Sequence, residues 1–196
     1  MGQRHLFSTV TGNLIQTFNN PDSQFGGDVG FSVSIDGTNA LIGAPTLNAG
    51  SAYLFDITNG NLLQTFNNPT PQSGDEFGYS VSLSGKNALI GDYLDNTGAT
   101  DAGSADLFDT ETGNLLQTLN NPDPQTDDRF GWSVSISDSN ALIGAVFEDT
   151  GANNAGSAYL YQQQQQQQVP EPSTLVGTVI AFLCGISFNR RIKHSL

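Results

Sequence analysis

The sequence predicts an all-β fold of antiparallel four-stranded propeller blades, about three in number, followed by one short C-terminal transmembrane helix. Three observations carry this reading. The pentapeptide Asn-Ala-Leu-Ile-Gly occurs three times, at Asn39 to Gly43, Asn87 to Gly91 and Asn140 to Gly144. The copies lie 48 and 53 residues apart (87−39 and 140−87), a period at which one repeat is one supersecondary unit that buries its apolar face by stacking on its neighbours. Within each period, short apolar segments alternate with Gly, Asn, Asp and Ser clusters, and no window carries the 3.6-residue stripe of a helix.

The second period shows the elements in order. Gly78 to Leu83 alternates small polar with apolar residues, the pattern of a half-buried strand. Ser84-Gly85-Lys86 is a tight turn. Asn87 to Gly91 is nearly continuously apolar and suits a strand covered on both faces. A long Gly/Asp/Asn loop follows, then a third strand over Ala105 to Asp109. Thr112-Gly113-Asn114 turns the chain, because Gly and Asn tolerate positive φ. Leu115 to Leu119 is the fourth strand, ended by Asn120-Asn121-Pro122 since proline cannot donate to a ladder. Four antiparallel strands per period match one blade of a β-propeller.

The same reading divides the whole chain. Residues 1–24 supply a third and a fourth strand, 25–76 a complete blade, 77–129 a second, and 130–161 a third blade that stops after three strands. That is about 13 strands, whereas propellers close with roughly four to eight blades. The expected body is therefore an incomplete or open propeller, or part of a larger one. Residues 162–168 are a polyglutamine spacer with no means of forming a core. Residues 169–196 differ abruptly in composition.

Phe77-Gly78 and Phe130-Gly131 open two of the units, and the first unit contains Gly43-Ala44-Pro45. With Phe-Gly-x-Ser-Val-Ser, Gly-Ser-Ala and Gly-Asn-Leu-Leu-Gln-Thr beside them, the body resembles the FG-GAP repeat of integrin α chains and bacterial surface proteins. The likeness covers roughly Phe25 to Tyr161. It departs where Val29-Gly30 stands for Phe-Gly, and where Gly91-Asp92-Tyr93 and Gly144-Ala145-Val146 stand for Gly-Ala-Pro. The resemblance implies a binding or structural module.

Charge is divided unevenly. Eighteen acidic and three basic residues (Arg4, Lys86, Arg129) precede Val169. An acidic body argues against nucleic-acid binding, which needs clustered Lys and Arg, and it permits cation binding. Lys86 and Arg129 stand alone among acids, with no expected role beyond solubility. Cys184 is the single cysteine, so no intrachain disulfide forms.

The insertion that lengthens the period lies after the second strand. In unit two it runs from Asp92 to Asp101, in unit three from Ala145 to Asn154, and in unit one it shrinks to Ala44 through Ala49 with no acid. Calcium takes six to eight hard oxygens around a loop that turns sharply at glycine. Asp92, Asp95, Asn96 and Asp101, with carbonyls around Gly98, are the candidate ligands. The FG-GAP resemblance implies calcium in such a loop, although the spacing is not Asp-x-Asp-x-Asp-Gly. The competing account is that Asp and Asn make Asx turns here.

No enzyme is expected. His5 and His194 lack a nucleophile or metal partner at a recognisable spacing. Ser32, Ser34, Ser80, Ser82, Ser133 and Ser135 recur with the repeat and read as small residues on a crowded inner strand. Asp75-Glu76 and Asp127-Asp128 read as solvated acids of inter-unit loops rather than a glycosidase pair. Trp132 takes the slot of Phe31 and Tyr79 and reads as packing.

In the tail, Val169-Pro170-Glu171-Pro172-Ser173 leads into an apolar run and then Arg190, Arg191 and Lys193. A helix over 173–188 would span roughly 24 Å at about 1.5 Å per residue, short for a hydrocarbon core of about 30 Å. The basic end stays cytoplasmic by the positive-inside rule, leaving the repeats outside. These three parts in order resemble the PEP-CTERM sorting signal. That resemblance implies recognition of Pro170, Glu171 and Pro172 by an exosortase, and export to the surface or matrix of a Gram-negative-type bacterium. An ordinary tail anchor is the alternative. Met1 to Phe7 carries no apolar run of signal-peptide length, so the true start is expected upstream.

The expected function is an exported, non-enzymatic binding or structural module with a protein or polysaccharide ligand. The alternatives are a fragment of a propeller-containing hydrolase or accessory protein, and a degenerate product without a stable fold.

Overall fold

The computed structural model describes residues 3–21, 28–46, 49–149, 152 and 154–162. The predicted helix over 173–188 and Pro170, Glu171 and Pro172 lie outside them. Among the described residues every regular element is a strand, and no helix is long and apolar enough to cross a membrane.

Strands β1 (Gln3–Phe7) and β2 (Leu14–Asn19) form an N-terminal pair. Blade one comprises β3 (Val33–Asp36), β4 (Asn39–Ala44), β5 (Ser51–Asp56) and β6 (Leu62–Asn67). Blade two comprises β7 (Ser80–Ser84), β8 (Asn87–Asp92), β9 (Ser104–Asp109) and β10 (Leu115–Asn120). Blade three holds β11 (Phe130–Ser137), β12 (Asn140–Ala145) and β13 (Ser157–Gln162). In each sheet consecutive strands pair antiparallel in chain order. The all-β antiparallel reading is borne out, and the sheets are propeller-like blades.

Local chemistry sets the turns. Asp56 and Asp109 accept hydrogen bonds from the Thr58 and Thr112 amides, both at 2.7 Å. Gly60 and Gly113 follow at φ 77° and 73°, values glycine adopts without a steric penalty. The tight reversal between the third and fourth strands is thereby fixed.

The core lies between the sheets. Leu41, Leu54 and Phe66 of blade one pack on Val81, Leu83, Ile90 and Phe108 of blade two. Leu89, Leu107 and Leu119 repeat this against Phe130, Ile136 and Ile143 of blade three. Phe18 of the N-terminal pair packs on Ile42, Tyr53 and Phe55 of blade one. A unit taken alone would leave one such face wet, which is why the units stack.

Serines stitch the same seams. Ser32 and Ser80 Oγ donate to the Gly78 and Gly131 carbonyls of the following blade, both at 2.7 Å. Ser34 and Ser82 Oγ accept from the following Leu83 and Ile136 amides, both at 3.0 Å. The repeated Ser-Val-Ser triplet is thus more than small residues on a crowded strand. At Gly91 a Cβ would collide with the Gly131 carbonyl and Ser80 Oγ, so the pentapeptide ends in glycine because the next blade's backbone lies there.

Trp132 packs on Tyr79 at 5.0 Å between ring centroids, and Tyr79 on Phe31 at 4.8 Å, the packing slot expected for it. Arg129 departs from expectation. Its guanidinium lies 4.9 Å from the Phe147 centroid, 5.7 Å from Tyr93 and 5.8 Å from Trp132, within cation–π range. Its role is therefore packing as well as solubility.

Candidate metal centre

Blade two gathers three carboxylates. Asp92 ends β8, Asp95 lies in the loop after it, and Asp75 lies on the segment entering the blade. One oxygen from each falls within 4.8 Å of the others. Asp75, Asp92 and Asp95 are 4%, 1% and 2% exposed. Among the described residues the one ion pair is Lys86–Glu111, so no basic side chain neutralises the three acids.

Their hydrogen bonds hold them without removing the charge. Asn68 Nδ2 donates to Asp75 Oδ2 at 2.9 Å and to Asp92 Oδ2 at 2.7 Å. The Gln72 amide donates to Asp75 Oδ2 at 2.7 Å, and the Glu76 amide to Asp92 Oδ1 at 3.1 Å. Asp95 receives the Thr97 amide at 2.6 Å and Thr70 Oγ1 at 3.3 Å. Asp75 Oδ1 is buried with no partner. A buried oxygen in that state pays its full desolvation cost.

Titration follows from the crowding. Burial, then the charge of Asp75, pushes the Asp92 carboxyl up to about 8. Burial raises Asp75 too, with further repulsion from Asp95 and Asp101. Asp106, on the neighbouring strand, is pushed up to about 6 by burial despite the Thr118 hydroxyl it accepts at 2.6 Å. Desolvation disfavours the charged form of each. A hard divalent cation at this place would relieve both desolvation and repulsion, and an all-oxygen donor set suits calcium.

Of the four residues expected as ligands, the structure brings Asp92 and Asp95 together. Asn96 instead closes the loop, its Oδ1 accepting the Asp101 amide five residues on at 3.0 Å, while Asp95 makes the Asx turn, to the Thr97 amide. Asp101 sits at φ 52°, close enough for its charge to raise Asp75. Asp75 and Asp128, expected as solvated loop acids, are both buried. The entry segment folds inward because Asn68 and Gln72 supply donors to it. The missed signal was the seven-residue offset Asn68 to Asp75, repeated as Asn121 to Asp128.

The repeat shows what varies. In blade three Asn121 Nδ2 donates to Asp128 Oδ2 at 2.7 Å and to Glu148 Oε2 at 3.1 Å. Ala145 replaces Asp92, and Glu148 stands at the position of Asp95 with a side chain one methylene longer. Asn121 thus holds two carboxylates as Asn68 does, while Ala145 removes the third acid of the cluster. Unit one has Gly27, Ala44 and Leu47 at the three acid positions.

The loop also reaches the next blade. The Asp127, Arg129 and Phe130 amides donate to the Thr100, Asp101 and Ala102 carbonyls at 2.9, 3.1 and 2.9 Å.

The family described as FG-GAP repeat matches residues 71–108 and 115–161. Those spans include Asp75, Asp92 and Asp95 and their blade-three counterparts. The match and the stacked antiparallel sheets support an FG-GAP, propeller-like repeat protein, a kind of module that binds or scaffolds. No curated protein matches the chain.

Proposed function

Starting from an FG-GAP-like repeat body with one buried acidic pocket, we propose that this protein is a non-enzymatic binding or structural module stiffened by calcium and displayed outside the cell. One observation carries the calcium reading. Three buried carboxylates meet within 4.8 Å with no basic partner among the described residues, and Asp75 Oδ1 lacks any hydrogen bond. Asp75, Asp92 and Asp95 would hold the ion, with Asp101 beside them. FG-GAP likeness over 71–108 supports this assignment.

A thermal melt tests it. Calcium at about 100 times its dissociation constant stabilises a folded state by about 2.7 kcal/mol. For a body of this size that raises Tm by about 5–10 °C, and Asp75→Asn should abolish the rise. An unchanged Tm in saturating calcium would end the calcium reading.

Display rests on the tail sequence: Pro170, Glu171 and Pro172, the apolar run, and the basic end. In this reading an exosortase and the export machinery are the transient partners, the membrane holds the chain through residues 173–188 during export, and a protein or polysaccharide is the eventual ligand. In an exosortase-bearing host, alanines at Pro170, Glu171 and Pro172 should retain the chain in the membrane fraction with its full mass. Identical surface release of both forms would refute sorting by this signal.

A further inference from the structure

Among the described residues, blade three shows three strands and the N-terminal pair two, of complementary type. Third-type strands β5 and β9 each pair with a fourth-type strand, β6 and β10. No described strand pairs with the outer edge of β13. Ser-Ala-Tyr-Leu occurs in both β5 and β13, yet Leu54 is 1% exposed and Leu160 is 59% exposed. Leu142, the counterpart of buried Leu41 and Leu89, is exposed as well. This face is the one that the following blade covers at the two complete seams.

The front of blade one is the matching half. Val33 and Ile35 are 67% and 57% exposed, whereas Val81 and Leu83, their counterparts, pack on the Leu41 and Leu54 face. In front of blade one lies β2, a fourth-type strand that among the described strands pairs with β1 alone, its Phe18 packed on blade one. The register Gln3↔Asn19, Arg4↔Phe18, His5↔Thr17 and Leu6↔Gln16 parallels Ser51↔Asn67, Ala52↔Phe66, Tyr53↔Thr65 and Leu54↔Gln64. Arg4 therefore occupies the slot that Ala52 and Ala105 fill with no exposure, and β13 offers Ala158 there.

We propose that copies of this chain associate head to tail. Blade three of one copy takes β2 of the next as its fourth strand, β13 displacing β1, and its Leu142–Leu160 face is covered by Val33 and Ile35. The pairing becomes Ser157↔Asn19, Ala158↔Phe18, Tyr159↔Thr17 and Leu160↔Gln16. Edge-to-edge strand addition supplies main-chain bonds and the buried Phe18 supplies specificity. Exchange of an identical element between protomers is a low-cost route to assembly.

Sedimentation velocity on the full chain in mild detergent, over a concentration series, tests this. The wild-type chain should form species beyond the dimer as concentration rises. Leu160→Asp and Ile35→Asp, both at exposed positions, should each remove them while circular dichroism stays unchanged. An equimolar mixture of the two variants should restore dimers and stop there, because it holds one sound front and one sound back per pair. A peptide of residues 13–20 should disperse the wild-type species, and the same peptide with aspartate for phenylalanine should not. A monomeric wild-type chain overturns the proposal. So does association that survives Ile35→Asp, which would mean a two-fold contact or assembly through the tail.

Discussion

At the scale of single residues the acidic pocket sets the pH response. Asp92 and Asp106 are both shifted upward, to about 8 and about 6, with burial the first cause in each. The fold therefore favours their neutral forms. The stability they lend is complete below about pH 4, the ordinary carboxylate range, and is lost as pH rises through 6 and then 8. The metal-free protein should show a Tm that falls between pH 5 and pH 8, and Asp92→Asn should flatten most of that fall. A flat profile in the unsubstituted protein would show that the carboxylates are solvated. Two of the three acids of this pocket were legible in the sequence. Asp92 and Asp95 stand out because they cluster in an inserted loop. Asp75 does not, because it lies 17 residues earlier in a segment with the composition of a solvated turn. Its burial follows from Asn68 and the Gln72 amide, partners that only the folded chain brings near.

At the scale of elements the repeat read well where side-chain period decided, and less well where backbone approach decided. Strands β8, β9 and β10 begin within one residue of the predicted Asn87, Ala105 and Leu115. The first strand begins at Ser80 rather than Gly78, because Gly78 takes φ 93° and gives its amide to the Gly91 carbonyl. The serine hydrogen bonds between blades were not legible either, since a hydroxyl's partner 46 to 54 positions away leaves no local pattern. The glycine that ends each pentapeptide distinguishes a covered seam from an uncovered one. A methyl group at Gly91 meets backbone of the next blade, while one at Gly144 meets chiefly the movable Ser133 hydroxyl. Gly91→Ala should cost about 1–3 kcal/mol as overpacking. Gly144→Ala should cost under about 1 kcal/mol, since a side chain rather than backbone gives way. Urea denaturation compares the two, and equal losses would contradict the seam geometry.

At the scale of the whole molecule, protection from solvent is graded along the array. Strand β8 is paired on both sides, and Leu89 and Ile90 have no exposure. Strands β1, β2 and β13 lie at sheet edges and leave Phe7, Ile15 and Leu160 exposed. Native-state amide exchange should be slowest in β8 and fastest in those three, because local opening is easiest where few apolar contacts are lost. Uniform exchange across all four sheets would instead indicate a single cooperative unit. The inserted loop of blade two bonds the segment that follows it. Its carbonyls at Thr100, Asp101 and Ala102 accept the Asp127, Arg129 and Phe130 amides, and in blade one the Phe77 amide likewise donates to the Ala49 carbonyl at 3.2 Å. An indel placed between Asp95 and Thr100 would slide that row of carbonyls out of step with Asp127, Arg129 and Phe130. The loop is thus a poor site for insertional drift even where its acids are left intact, and a tag spliced there should loosen blade three before it disturbs the carboxylates.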